Sequence, residues 1–405
     1  MNSVNSHFGA LVMEGSISGT SAASRAGAWT FSAVRGATGL ESLRAEWQTL
    51  LDGLDHTSYQ QSPAWFSSYV LALAARPRDV YFVAARSAGR LRAVLALESV
   101  SHGPSGLGWR SLRLINGDHM PMADAAGDSL AAGLWPALHA WLEHHSGLPW
   151  QVLNAPGVCA DGCLARWLNS SPDSIPSVVR GVAPTLWLDC SSDLEHALRD
   201  VSRSHKTNVR RLTRRAKELG ALQYDVVTEP AELELAFESF LQVEASGWKG
   251  EHGSAIRLHP ELISFYRSLM QQFGARGECR INLLRLNGEV IAAQFGLTSD
   301  RQLNLLKIGY LEKYCHVAPG HLIMQHTIES VCADPLLQRL SFVTRPVWAH
   351  LWKPESTNVA HHVIFRSSWS GRLLQRALRA WQRRPRLEWA PRAAAEPAAC
   401  AAPQT

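Results

Sequence analysis

Apolar and polar residues in the first part of the chain alternate with two different periods. Some segments repeat large apolar side chains every three or four positions, as in an amphipathic helix, and others have the short apolar runs of strands. Ser62 and Pro63 suit the cap and first turn of one such helix. The predicted elements are, in chain order, helices over 40–54 and 62–76, strands over 80–100 and 109–117, a helix over 130–146 and a strand over 149–157.

The second part of the chain repeats this order of elements. Asn287-Gly288 is the strongest hairpin signal, because both residues tolerate the positive φ of a tight turn. Helices, a hairpin meander, a helix and a strand therefore occur twice, which predicts an α+β protein with a duplicated topology. The elements predicted here are helices over 201–220, 230–246 and 259–277, strands over 222–229 and 278–310, a helix from 319, and strands over 337–344 and 361–368.

This duplication predicts two lobes, the first over 28–190 and the second over 191–368. Residues 369–387 combine arginines with leucines and a tryptophan and are predicted to form a basic amphipathic helix. Residues 1–27 and 388–405 are rich in small residues or proline, and we expect them to be disordered tails.

Composition and charge exclude several classes of protein. The chain has 405 residues, of which 46% are hydrophobic, enough to bury a core in each lobe. The net charge of +5 favours an anionic ligand or surface but is too small for a dedicated nucleic-acid binder. The seven cysteines are scattered without a CxxC pair, which fits reduced thiols in the cytoplasm. No HExxH spacing, signal peptide or long apolar run occurs, so we expect no metal, no secretion and no membrane span.

A Pro-Gly pair opens the helix that follows the last predicted strand of the meander. The first N–H groups of a helix are unpaired and carry part of the positive end of its dipole. Gly320, His321 and Leu322 would present such N–H groups, Gly320 would allow close approach, and Pro319 would fix the entry angle. The site suits a phosphate or pyrophosphate. Alternatively, the pair serves only the geometry of the helix start.

Four segments in this part of the chain resemble one family. They are the quoted stretches SHKTNVRRLTRRAKELG, FLQVEASGWKG, LNGEVIAAQFGL and KIGYLEKYCHVAPGHL. Together they resemble the GNAT-like acetyltransferase domains of the cellulose-biosynthesis type, also called BioF2-like. The resemblance is close over about 195–355 and looser over 29–190. Members of this family are tandem GNAT-like units akin to Fem-type aminoacyl transferases.

The resemblance implies acyl transfer from acetyl-CoA or another acyl thioester, including a carrier-protein thioester. In GNAT folds the donor pyrophosphate lies at the start of the helix after the fourth core strand, which here falls on Pro319, Gly320, His321 and Leu322. The family often keeps a tyrosine that protonates the leaving thiolate at the position of Tyr310 or Tyr314. Both tyrosines could instead pack under the helix.

The acceptor side is predicted from three positions near the donor strand. Lys307 is costly in a core strand unless it faces a cleft, where it would hold an anionic acceptor or polarise a carbonyl; the alternative is an edge position with the ammonium reaching solvent. Trp248 would form a wall of the acceptor site beside Lys249, or else fill the interface between the lobes. Glu244, one turn before Trp248, is a candidate general base.

The chain departs from the family pattern at several positions. It lacks the longer glycine-rich loop before the donor helix. Leu311 stands where the family has an aspartate, so Glu312 or His316 would have to replace that group as the base. His350 occupies the place of a Tyr-Lys pair, where it would contact the acceptor. These departures leave open a non-catalytic member of the family.

Two arginine-rich stretches extend the interpretation. Residues 203–217 would meet a membrane, the 3′-phosphate of CoA or RNA, and residues 366–386 suit an anionic membrane surface; either run could also be an ordinary solvated face.

The sequence therefore predicts a cytoplasmic acyltransferase, peripheral to the inner face of the membrane. Its acceptor would be an amine or hydroxyl on a sugar or an envelope or exopolysaccharide precursor. One alternative is a Fem-type transferase that uses aminoacyl-tRNA, which residues 203–217 favour. Another is a non-catalytic adaptor of a polysaccharide-synthesis complex.

Overall fold

The structure, a computed structural model, describes residues 17–20, 29–102, 109–128, 131, 133–148, 150–170, 175–246 and 253–382. Two of the predicted acceptor residues, Trp248 and Lys249, lie outside the described residues, as do most of the two predicted tails.

One mixed sheet runs through both halves of the described chain. Its strands are β1 Ile17–Thr20, β2 Trp29–Arg35, β3 Val80–Ser87, β4 Arg90–His102, β5 Trp109–Leu114, β6 Ala126–Gly127, β7 Val152–Cys159, β8 Ser177–Asp189, β9 Leu222–Val227, β10 Cys279–Leu286, β11 Glu289–Ser299, β12 Gln302–Tyr310, β13 Arg339–Ser341 and β14 Glu355–Phe365. Their order is β1-β2-β3-β4-β5-β7-β14-β8-β13-β12-β11-β10-β9, and β6 pairs with β4. The β5–β7 and β12–β13 pairs are parallel.

Helices cover the sheet on both faces. They are α1 Gly36–Asp52, α2 Pro63–Ala72, α3 Leu134–His144, α4 Cys163–Ser170, α5 Leu194–Ala197, α6 Arg203–Leu219, α7 Pro230–Glu244, α8 Pro260–Gly274, α9 Pro319–Ala333 and α10 Trp369–Gln382. The predicted cap of α2 is confirmed, because the Ser62 hydroxyl accepts the N–H of Trp65 at 3.2 Å and Pro63 opens the helix. The predicted α+β class, with a mixed sheet flanked by helices, is confirmed.

The predicted Asn-Gly hairpin joins β10 to β11 and also fixes a helix end. Asn287 and Gly288 have φ angles of 52° and 84°, the positive values that the tight turn requires. The Asn287 side chain accepts the N–H of Ala221 at 2.9 Å and donates to the carbonyl of Leu219 at 3.1 Å. The turn residue therefore also caps the carboxyl end of α6, a role that the hairpin signal did not reveal.

The two halves exchange strands, which the division at residue 190 did not anticipate. β14 comes from the end of the second half, yet it pairs with β7 and β8 of the first. The last residues of β8 in turn pair with β13 of the second half. The duplication predicted from the order of elements is visible in the sheet, since each half contains an antiparallel meander followed by one short parallel pairing.

The halves share one hydrophobic core, and each half also has a core of its own. Aromatic side chains of the first half, such as Trp65, pack against those of the second, with ring centroids of Trp65 and Phe265 5.5 Å apart. The hydroxyls of Ser68 on α2 and Ser268 on α8 lie 2.9 Å apart in the same interface. The relative position of the halves is thus set by packing of α2 on α8.

The two ends of the chain differ in how far the structure describes them. Ile17–Thr20 pairs with β2, so this segment of the expected disordered tail is a strand. The predicted basic helix is present over Trp369–Gln382. No helix among the described residues is both long and apolar enough to cross a bilayer.

Gly309 on β12 marks the closest approach between the sheet and α7. A Cβ at this position would lie 2.7 Å from the Cα of Glu244 and 3.0 Å from its backbone nitrogen. Because backbone cannot move aside as a side chain can, we expect Gly309→Ala to lower the free energy of unfolding by about 1–3 kcal/mol. Chemical denaturation measures this. Gly320→Ala is the control, since its Cβ would meet its nearest neighbour at 3.7 Å; equal losses in both variants would contradict the prediction.

Candidate active site

The pairing between β12 and β13 ends early, and the second half of the sheet opens there. The two strands pair only between residues 302–304 and 339–341, whereas β12 continues along β11 to Tyr310. We call the opening between residues 305–310 of β12 and residues 342–344 the strand gap.

The chain beyond β13 stays with β8 instead of β12. The N–H of Phe342 donates to the carbonyl of Leu186 at 2.9 Å, and the N–H of Leu186 donates to the carbonyl of Thr344 at 3.3 Å. These bonds hold one side of the strand gap away from the other.

A β-bulge in β12 determines which side chains beside the strand gap lie on which face of the sheet. Phe295 pairs with Lys307 and Gly296 with Leu305, so Leu306 is the extra residue of the bulge. Lys307 pairs with Phe295, whose ring lies in the core beneath α7 and α8. Tyr310 pairs with Ala292, in the core beneath α9. Since paired residues share a face, Lys307 and Tyr310 lie on opposite faces of the sheet.

The start of α9 lies next to Tyr310 but offers fewer N–H groups than expected. The N–H groups of His321 and Leu322 donate to the carbonyl of Ala318, at 3.0 and 3.3 Å. Leu322 is buried in the core, so it does not present its N–H to a ligand as predicted. The Gly320 N–H has no backbone acceptor within the described chain, and a Cβ there would lie 3.7 Å from the Tyr310 ring, so its role in binding the donor stays a prediction.

Three aromatic side chains meet behind this helix start. His205 comes from the first turn of α6, His321 from the first turn of α9, and Trp352 from a 3₁₀ turn over Val347–Trp352. The ring of His205 lies 5.3 Å from that of His321 and 4.8 Å from that of Trp352. His205 Nε2, His321 Nδ1 and Trp352 Nε1 are all buried without a hydrogen-bond partner in the described structure. Such orphaned polar atoms are costly and call for an explanation.

Burial lowers the pKa of both histidines of this group. It lowers the pKa of His321 to about 4, with a further contribution from His205. It also lowers the pKa of His205. Neutral imidazoles can donate or accept a hydrogen bond, so the group can adjust to a polar ligand.

Helix α6, which carries His205, also borders a depression on the protein surface that contains two arginines. Its volume is about 490 Å³. The residues that line it are Arg203, Ser204, Thr207, Asn208 and Arg211. His205, within this turn, connects the depression to the start of α9.

A second polar group lies on the Lys307 face and contains residues of both halves. His119 belongs to the first half, and its Nδ1 is 3.0 Å from the hydroxyl of Tyr266 on α8. Burial lowers the pKa of His119 to about 3, and the nearby positive charge of Lys307 adds to the shift. Burial raises the pKa of Tyr266 well above its ordinary value, with a contribution from the charge of Glu244. We call these four residues the inter-half group.

Glu244, a predicted base, is also tied into the structure. Its side chain is buried, and one carboxylate oxygen accepts the N–H of Ile256 at 2.9 Å. This bond ties the end of α7 to the short turn Ile256–Leu258 before α8, which is a structural role.

The other predicted catalytic residues do not gather at the strand gap. The Tyr314 hydroxyl donates to Glu289 at 2.7 Å, and this hydrogen bond raises the pKa of Tyr314. Glu312 and His316 are exposed on the turn between β12 and α9.

His350 is likewise exposed, and its Nε2 accepts a long hydrogen bond of 3.5 Å from Arg345. Trp352, two residues after His350 in the same 3₁₀ turn, is buried. Sequence reasoning missed His119, Tyr266, His205 and Trp352. Only His205 carried a local signal, as a histidine in the first turn of a basic helix.

One family model matches a large part of the second half. Residues 203–350 match the family model of the acetyltransferase (GNAT) domain. The match includes β12, the strand gap and α9. No curated protein matches the chain.

Solved structures share the fold over most of the chain. FemX has a TM-score of 0.56 at 11% identity, covering 82% of this chain and 98% of its own. The C-terminal domain of a protein assigned as a lysylphosphatidylglycerol synthetase in Agrobacterium fabrum has a TM-score of 0.50 at 12% identity, covering 84% and 96%. A protein of unknown function from Bacteroides thetaiotaomicron also has a TM-score of 0.50 at 10% identity, covering 79% and 97%.

The predicted GNAT-like fold is therefore confirmed. The prediction of a GNAT-type acyltransferase is confirmed for the domain that residues 203–350 form. The narrower cellulose-biosynthesis-type subfamily stays a prediction. Within the described residues, no group of three or more His, Cys, Asp or Glu side chains is placed to hold a metal ion.

The buried His321 gives the protein a defined response to acid. Its pKa is about 4 in the folded state and near 6.5 in the unfolded chain, so the unfolded chain binds the proton first as the pH falls. Stability should therefore be lost between pH 6.5 and pH 4, and the full difference in pKa corresponds to about 3 kcal/mol.

Urea denaturation at several pH values tests this response. The loss on acidification should be smaller in His321→Gln than in the natural protein. His316→Gln, an exposed histidine just before the same helix, is the matched control and should leave the pH profile unchanged. An unaltered profile in His321→Gln would show that other groups cause the loss.

Proposed function

We propose that the protein transfers an acyl group, in the first instance acetyl, from the thioester of CoA to an amine or hydroxyl acceptor. The observation that carries this proposal is the strand gap, which leads directly to the start of α9. A thioester donor would lie along β12 with its phosphates at Gly320. A carrier-protein thioester remains a variant of the same proposal.

Three features support an anionic donor at this end of the strand gap. The Gly320 N–H points out of the helix start, where the dipole favours negative charge. The orphaned nitrogens of His205, His321 and Trp352 lie beside it and could bond phosphate oxygens or ordered water. The basic depression on α6 adds Arg203 and Arg211 for a further phosphate.

The acceptor would enter on the opposite face, at the inter-half group. The ammonium of Lys307 would stabilise an anionic acceptor or the oxyanion that forms when the acceptor attacks the thioester carbonyl. The Tyr266 hydroxyl orients the neutral His119 ring by its Nδ1, so that Nε2 would hydrogen-bond the acceptor, whose proton would leave to water. Donor and acceptor would then meet across β12.

The leaving thiolate needs a proton, and Tyr310 is the better placed of the two predicted tyrosines. It lies beside Gly320 on the donor face, whereas the Tyr314 hydroxyl is bound to Glu289. We assign the protonation of the thiolate to Tyr310. The carboxylate of Glu244 accepts the N–H of Ile256, and we assign no proton transfer to it.

For the acceptor we propose a sugar or an envelope or exopolysaccharide precursor, and for the protein a cytoplasmic location. The mild positive charge suits the phosphates that such activated precursors carry.

A second candidate is transfer from aminoacyl-tRNA. The basic depression on α6 favours it, since arginines there would meet a nucleic-acid backbone as readily as the phosphates of CoA. Sensitivity of the activity to ribonuclease separates the two donors. A non-catalytic adaptor would show neither transfer nor donor binding.

Donor binding is tested by thermal unfolding with acetyl-CoA and free CoA. At about 100 times the dissociation constant, a ligand bound only by the folded state adds about 2.7 kcal/mol, which should raise the Tm by about 3 °C or more. Gly320→Trp should abolish the rise, because the indole would fill the space before the helix start.

The matched control is Ala231→Trp, at the second position of α7. This helix also begins with a proline, and residue 231 is exposed. The control should keep the rise in Tm. If both variants keep it, CoA does not bind at the start of α9; if the natural protein shows no rise, the CoA proposal fails.

Lys307→Met should separate transfer from donor binding. Because Lys307 lies on the face opposite α9, we expect the rise in Tm with CoA to persist while transfer falls by about 100-fold or more. Release of CoA from acetyl-CoA in the presence of amino sugars and sugar nucleotides measures transfer. Lys307→Arg keeps the charge and should retain more activity; loss of donor binding in Lys307→Met would instead place Lys307 in the donor site.

A further inference from the structure

Helix α10, Trp369–Gln382, lies on the sheet by its polar face. The residues that face the sheet are Gly371, Gln375, Leu378 and Gln382, spaced by four, three and four positions. Gln375 donates to the carbonyl of Ser177 at 3.1 Å, and Gln382 donates to that of Val179 at 2.7 Å. Leu378 packs against the small cluster of Val152, Val178, Val363 and Phe365. Arg379 also donates to the carbonyl of Ser177, at 3.2 Å, so the helix is held by side-chain hydrogen bonds to strand β8.

The apolar stripe of the same helix points away from the protein. Trp369 is 81% exposed and Leu373 59%, and Ala377 and Ala380 continue the row. Leu374 and Trp381 border it at 43% and 37% exposure. An amphipathic helix normally turns such a stripe toward the core, so this orientation requires a partner outside the described structure.

Arginines flank the exposed stripe. Arg372 and Arg376 are exposed one position before Leu373 and one before Ala377, and therefore lie along one edge of the row. Between Glu355 and Glu388 the sequence contains seven arginines and no acidic residue. This concentration of positive charge would repel a second copy of the same helix, and it is complementary to a negatively charged surface.

We propose that α10 docks the protein on the surface of an anionic phospholipid bilayer. The row from Trp369 to Ala380 enters the boundary between headgroups and acyl chains, and the flanking arginines bind lipid phosphates. Tryptophan suits this depth because its ring is apolar and its N–H is polar. The hydrogen bonds of Gln375 and Gln382 to β8 keep the helix parallel to the protein surface, so the stripe is presented as a flat face.

Vesicle co-sedimentation with the full chain tests this docking. The protein should sediment with vesicles of equal parts phosphatidylglycerol and phosphatidylcholine, and much less with vesicles of phosphatidylcholine alone. Leu373→Glu should reduce binding by at least tenfold. The matched control is Leu235→Glu, which changes a leucine that is 76% exposed on α7 and should leave binding unchanged.

A second experiment tests whether Arg372 and Arg376 contribute to vesicle binding. Each arginine near an anionic surface adds about fivefold in affinity, so Arg372→Gln with Arg376→Gln should weaken vesicle binding by about twentyfold. Neither change touches the hydrogen bonds that hold α10, which should keep the thermal unfolding curve unchanged.

Two results would overturn the proposal. One is equal binding of the natural protein and Leu373→Glu to the anionic vesicles. The other is the absence of vesicle binding together with a concentration-dependent dimer in sedimentation velocity that Leu373→Glu abolishes, since the stripe would then be covered by a second copy.

Discussion

The candidate site depends on the hydrogen bonds that keep residues 342–344 on β8. The bonds between Phe342, Leu186 and Thr344 continue the pairing of β13 with β8. The groups of Val343, which would face β12, are bonded elsewhere: its N–H donates to the Ser341 hydroxyl at 3.0 Å, and its carbonyl accepts from the Thr185 hydroxyl at 2.9 Å. The strand gap is therefore a consequence of backbone pairing elsewhere in the sheet. β8 can take this position because β14 supports its other edge, so the exchange of strands between the halves and the opening at β12 are parts of one arrangement.

The strand gap opens to two different faces of the sheet, one beneath α9 and the other beneath α7 and α8. On one, the start of α9 packs against His205, His321 and Trp352, whose orphaned nitrogens are buried. On the other, α8 carries Tyr266 against His119 of the first half, near Lys307. Packing of α2 on α8 brings His119 to this place, so the first half contributes a residue to the inter-half group as well as to the core of the second.

Much of the fold and part of the site could be predicted from the sequence. The cap of α2, the Asn287-Gly288 turn and the Pro-Gly start of α9 each depend on residues within a few positions, and each was found where expected. The resemblance to GNAT-like domains identified the same helix start. The positions of the bases proposed from sequence could not be predicted. Glu312 and His316 are exposed on a turn, and the buried carboxylate of Glu244 accepts the N–H of Ile256. Family position alone cannot show which way a side chain points.

By itself, the sequence determined the local elements, their duplicated order and the amphipathic character of the last helix, because periodicity, caps and turn residues act between near neighbours in the chain. Only the tertiary structure decided which strand pairs with which, that His119 lies against Tyr266, and that the apolar stripe of α10 faces outward. Strand pairing is made by backbone groups that every residue carries, so residue types alone do not specify it. The direction of a helix face likewise depends on which surface the completed sheet offers it.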